Sequence, residues 1–101
     1  VSEIFQLSEA DQQQLMRESS FLARSLENEF AGDKLNIAAL GNIVPQLHVH
    51  HIVRYKTDAA WPAPVWGRVP ALAYDESELR ALAKKLSDVL QNDSTIEFKP
   101  V

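Results

Sequence analysis

An α+β fold built on an antiparallel hairpin is the class this sequence predicts, and three observations predict it. Two stretches, 8–29 and 75–91, carry apolar residues at helical spacing. Between them lie two short runs of β-forming character, separated by a Gly41-Asn42 pair. The second run, Gln46-Leu47-His48-Val49-His50-His51-Ile52-Val53-Arg54, holds all three histidines of the chain.

In order, residues 1–7 read as the end of a strand or a connecting loop. Ser8 with Asp11 approaches the capping-box pattern, and Glu9 and Asp11 suit the positive end of a helix dipole. Leu15, Leu22, Leu26 and Phe30 form the apolar stripe of that helix, with Ser19 as its weak step. Gly32 and Asp33 supply turn chemistry at its end. A strand is expected at 35–40, a tight turn at Gly41-Asn42, and a second strand at 45–55 with Pro45 in first place, where a missing N–H is tolerated. The connection 56–74 is long, holds Trp61, Trp66, Pro62, Pro64 and Pro70, and is of the length that tends to carry function. Asp75 with Glu78 caps a second helix, whose Leu79, Leu82, Leu86, Val89 and Leu90 share a face. The segment 95–101 is expected to add an edge strand.

The chain has 101 residues, which bounds it to one domain, 1–101. Its net charge of −4 and its lack of a basic run argue against DNA, RNA or an anionic membrane as a partner. There is no cysteine, hence neither a disulfide framework nor thiolate chemistry, and a cytoplasmic address is the default expectation. The sequence begins Val-Ser-Glu-Ile-Phe without an initiator Met, so a processed chain or a piece of a longer one is expected.

In an extended strand His48 and His50 share one face with Gln46 and Ile52, and His51 joins Leu47, Val49 and Val53 on the other. Histidine changes charge near neutrality, so one imidazole can act as nucleophile or base while its neighbour donates a proton. A ring whose Nδ1–H is held by a main-chain carbonyl presents the Nε2 lone pair, free to attack phosphorus. Gly41 and Asn42 can offer an N–H and an amide to phosphate oxygens, and the Trp61/Trp66 loop can close over a base or exclude water. Two other readings stand beside this one. The histidines can be strand residues with satisfied hydrogen bonds, or His48 and His50 can be two zinc ligands. For the metal, His51 faces away and no Asp, Glu or Cys lies nearby in sequence.

The run Gln46-Leu47-His48-Val49-His50-His51-Ile52 resembles the histidine-triad (HIT) motif, in a bacterial branch with Gln in the first histidine position. Gly41-Asn42 ahead of it and Trp61-Pro62 after it strengthen the resemblance, which covers 8–66. The resemblance implies a HIT-like α+β domain, an antiparallel sheet of about five strands with helices packed on one face, and a homodimer. It implies nucleotide hydrolysis or transfer at an α-phosphate of dinucleoside polyphosphates or nucleoside phosphoramidates, without a cofactor or an active-site metal. By position, His48 would be the nucleophile that forms a covalent nucleotidyl-histidine. His50 would orient it through its main-chain carbonyl and contact phosphate with its ring. Asn42, Gln46 and Trp61 would line the substrate and phosphate site. The sequence departs from the family at Gln46, which cannot titrate, at Ile43, where Ser or Thr is common, and at His51, where an apolar residue is usual. The family's first thirty to forty residues, which form early strands, are expected to be missing here. Binding with little turnover is the alternative function.

Overall fold

The computed structural model describes residues 1–91. The chain divides into two compact units, 1–58 and 59–101. The first holds a 3-10 turn at Ile4–Gln6, helix α1 at Glu9–Phe30, strand β1 at Lys34–Ala38 and strand β2 at His50–Arg54. The second holds helix α2 at Glu76–Leu90.

Helix α1 starts where its cap predicts. Ser8 Oγ accepts the Asp11 N–H at 3.1 Å, satisfying one of the donors a helix start leaves open. Leu26 is the buried apolar residue of its stripe. At the other end the left-handed residue is Ala31 (φ 49°), whose N–H bonds the Glu27 carbonyl, and not the expected Gly32. Gly32 serves a different need. A Cβ on it would collide with Val53 Cγ1 and lie 3.1 Å from the Arg54 carbonyl, so glycine is what lets the end of α1 pass close to β2. Two further bonds fasten this crossing. The Asp33 N–H donates to the Arg54 carbonyl at 2.8 Å, and the Tyr55 hydroxyl donates to the Phe30 carbonyl at 2.6 Å.

β1 and β2 pair antiparallel, with Lys34 opposite Arg54, Asn36 opposite Ile52, Ile37 opposite His51 and Ala38 opposite His50. Both strands are shorter than expected. The ladder stops at the Ala38–His50 pair because the chain leaves β1 there, through Leu40 and a positive-φ Gly41 (φ 74°). Among the described residues, those before His50 thus have no strand opposite them. The Leu47 N–H bonds the Val1 carbonyl instead, at 2.8 Å. The tight Gly41-Asn42 hairpin becomes the longer connection 39–49, and His48 and Gln46 lie on the approach to β2, outside it. Among the described residues the sheet has two strands rather than about five. A two-stranded ribbon is marginal on its own, so β2 depends on α1 behind it.

Residues 55–75, which run from the first unit into the second, contain neither helix nor strand, as the long connection predicts. Asp75 caps α2, accepting the Glu78 N–H at 2.8 Å, and that bond above all holds its carboxyl below the usual range. The exposed Arg80–Glu76 and Lys84–Asp88 pairs line the outer side of α2 and contribute little. Leu82, Leu86, Val89 and Leu90 are half-buried, whereas Leu79 is exposed. The expected edge strand at 95–101 lies outside the described residues. No helix among the described residues is long and apolar enough to cross a membrane.

Two substitutions test this frame by denaturant unfolding. Leu26→Ala is expected to destabilise by about 3 kcal/mol through the cavity it leaves. Ala31→Gly is expected to stabilise by about 0.5–1 kcal/mol, because it relieves a left-handed alanine.

Candidate active site

Three kinds of support bring the site together. The β2 ladder places His50 on the face it shares with Ile52 and Arg54. The approach to the strand carries Gln46 and His48. The rear face of β2, with His51 and Val53, meets α1.

His48 Nδ1 lies 2.6 Å from the main-chain carbonyl of Gln46, two residues back. A carbonyl can only accept, so Nδ1 carries the proton and the neutral ring has its lone pair on Nε2. The resemblance to the HIT motif implies the His50 carbonyl for this orienting role. The local curl of the chain ahead of β2 gives it to Gln46, because a bent main chain turns residue 46 back under ring 48. The His48 and His50 rings meet edge to face, with centroids 5.0 Å apart and planes at 70°. His48 is exposed and His50 half-buried. The nucleophile candidate and its neighbour are therefore adjacent, and the outer ring is open to a substrate.

Asn42 sits on the 39–49 connection, fully on the surface. Ile43 beside it is 94% exposed, an unusual place for isoleucine. Trp61 is half-buried, belongs to the second unit, and precedes Pro62 across a cis peptide bond. The structure thus brings His48 together with the Gln46 carbonyl and the His50 ring; Asn42 lies earlier on the same connection, and Trp61 belongs to the second unit. No cluster of three or more His, Cys, Asp or Glu suited to a metal occurs among the described residues.

Two side-chain clusters were not anticipated. Arg54 is 2% exposed, and its guanidinium donates to both Asp58 oxygens, at 2.8 and 3.0 Å, and to Asn36 Oδ1 at 2.7 Å. Hydrogen bonding to Asp58 is the main cause that raises its pKa above the ordinary value. The Asp58 carboxylate also accepts the Tyr55 N–H at 3.1 Å, so the pair closes the turn after β2. The i, i+4 spacing of Arg54 and Asp58 and the shared face of Arg54 and His50 were visible signals. The second cluster is His51 Nε2 with Ser19 Oγ, 2.8 Å apart. Burial lowers the His51 pKa, against hydrogen bonds with Val49 and Ser19 that favour the charged ring.

The sequence profile of the HIT domain matches residues 1–57, more than half of the chain and nearly all of its first unit. The chain belongs to the HIT family. Solved histidine triad proteins agree over both units. One from Marinobacter aquaeolei is 49% identical with a TM-score of 0.86, over 90% of this chain and 66% of that one. One from Bradyrhizobium japonicum is 50% identical with a TM-score of 0.85, over 89% of this chain and 67% of that one. A HIT protein from Sinorhizobium meliloti is 42% identical with a TM-score of 0.83, over 87% and 65%. The chain spans about two thirds of the length of these HIT proteins. Among curated proteins no sequence matches it.

The lowered His51 pKa has a consequence for stability. The unfolded chain takes up a proton on this residue near the usual imidazole value of about 6.5, before the folded chain does. Its effect on stability is therefore absent above that pH, and stability is lost as pH falls from there through the lower folded value. Denaturation midpoints measured between pH 8 and pH 5 are expected to show this decline in the unmodified protein and a flatter profile in His51→Phe.

Proposed function

We propose that this HIT domain hydrolyses or transfers nucleotides at an α-phosphate through a covalent intermediate on His48. The observation that carries the reading is the bond from His48 Nδ1 to the Gln46 carbonyl, which directs the Nε2 lone pair outward from an exposed ring. In the first step Nε2 attacks the α-phosphorus. A nitrogen–phosphorus bond forms as the bond from phosphorus to the leaving group breaks. The leaving group departs with that electron pair and takes a proton, which His50, at ring-to-ring distance, is placed to deliver. In the second step water attacks phosphorus, the nitrogen–phosphorus bond breaks, its electron pair returns to Nε2, and the water proton passes to His50 or solvent. This divides one hard displacement into two easier ones. Gln46 cannot titrate, so proton donation falls to His50 in this scheme.

Dinucleoside polyphosphates and nucleoside phosphoramidates are the substrate classes this reading favours, with Asn42, Gln46 and Trp61 as the substrate and phosphate contacts. It needs no metal or cofactor. A homodimer accompanies it in this reading, since the two-stranded ribbon of the described residues offers edges that a second copy can cover.

A second reading, nucleotide binding with little turnover, draws on the non-titrating Gln46 and on Ile43, whose exposed apolar side chain offers phosphate nothing. One experiment separates the two. Adenosine 5′-phosphoramidate carrying labelled phosphorus, mixed rapidly and quenched in base, is expected to leave label on His48. His48→Ala is expected to lose the label and at least about a thousandfold in kcat/KM. Binding by an unlabelled, folded protein would favour the second reading.

A further inference from the structure

The peptide that serves the His48 ring is itself held from its other end. The Gln46 carbonyl, which accepts the His48 Nδ1–H at 2.6 Å, and the Leu47 N–H belong to one peptide unit. That N–H donates to the Val1 carbonyl at 2.8 Å. The Val1 carbonyl and the Ser2 N–H form the next unit, and the Ser2 N–H donates to Gln6 Oε1 at 2.9 Å. Gln6 Oε1 also accepts the Glu3 N–H at 3.1 Å and the Ser2 hydroxyl at 3.3 Å. Main-chain N–H groups can only donate, so the side-chain atom that faces them is the oxygen. Hydrogen bonds of one direction thus run from the imidazole, through two peptides, to the side chain of Gln6.

A planar trans peptide points its N–H and its C=O in opposite directions, so a bond at one end aims the other. Gln6 thereby aims the Val1 carbonyl at Leu47, and that bond aims the Gln46 carbonyl at the ring. Each donated N–H also polarises the carbonyl of its own unit and makes it a better acceptor. The segment has a fixed base. The Leu7 N–H donates to the Ile4 carbonyl at 3.1 Å, and Gln12 Nε2, on α1, donates to the Leu7 carbonyl at 3.0 Å.

We propose that Gln6 is a positioning residue for His48, acting through the Val1–Ser2 and Gln46–Leu47 peptides to fix which ring nitrogen is free. The inference rests on the His48 reading for its kinetic consequence, but its structural consequence is independent of turnover. Gln6 stands outside the histidine motif and acts on the ring's acceptor, not on the reacting atoms.

The experiment pairs ring-nitrogen NMR and amide hydrogen exchange with kinetics on adenosine 5′-phosphoramidate, using the full chain. In the unmodified protein the neutral His48 ring is expected to show a single tautomer, protonated on Nδ1. Gln6→Met keeps the length of the side chain and removes the acceptor. It is expected to give a mixture of His48 tautomers and faster exchange of the Leu47 amide. The same variant is expected to lower kcat by about fivefold, with KM within about twofold. Gln6→Glu, which restores an acceptor oxygen, is expected to recover all of these readings. Gln6 lies on the surface, so Met there leaves the packed interior untouched. Phe5→Ser, at an exposed residue of the same turn, is expected to change none of them. An unchanged His48 tautomer in Gln6→Met would overturn the proposal, whether or not Leu47 exchange or kcat moves. So would a tautomer mixture of equal extent in Phe5→Ser. A tautomer change reversed by Gln6→Glu, in a protein that shows no turnover, would uphold the role of Gln6 and overturn the hydrolase reading.

Discussion

The hydrogen bond between His48 Nδ1 and the Gln46 carbonyl decides which nitrogen of the ring can react. An imidazole free in solution exchanges its proton between two nearly equivalent sites. One main-chain acceptor at 2.6 Å removes that ambiguity. The acceptor lies two residues earlier in the chain, so the bond exists only while the approach to β2 keeps its curl. That curl is not part of the sheet. The Val1–Leu47 main-chain bond fastens it from outside the sheet. The reactive residue is therefore held by non-ladder contacts, and its neighbour His50 by the ladder.

The two faces of β2 divide the polar groups between them. In front, Arg54 is almost wholly enclosed, with Asp58 and Asn36 occupying its donors. A guanidinium taken out of water needs such a set of acceptors, and the bidentate fork gives the arrangement a definite geometry. Behind, His51 and Ser19 supply one polar bond within an otherwise apolar contact. The strand thus has a charged anchor at its far end and a neutral one near the reactive pair.

Much of this was legible in the sequence. The Ser8 and Asp75 caps are local devices, encoded within three residues, and both stand where the pattern puts them. The α+β class and the HIT motif were legible because spacing and residue type suffice to find them. Strand length was not, because it depends on how far the partner strand runs: 45–55 has the character of a strand throughout, yet among the described residues only His50–Arg54 finds one opposite. Gly32 looked like a helix terminator. Its actual role is set by the proximity of Val53, which no local pattern encodes. Ser19 and His51 each read as an imperfection, since only the packing of α1 on β2 reveals that one answers the other.

Two adjacent histidines on a ribbon also create a problem of identity. Were β2 to slide by a single position along β1, His50 would turn toward α1 and His51 toward the front. The side chains are the same, so neither imidazole could by itself tell the chain which alignment is right. The discrimination comes from their flanks: a slipped strand would swing the guanidinium of residue 54 into the apolar contact with the helix and strip Asn36 of its bond. Arg54 is in this sense what distinguishes one histidine from the other.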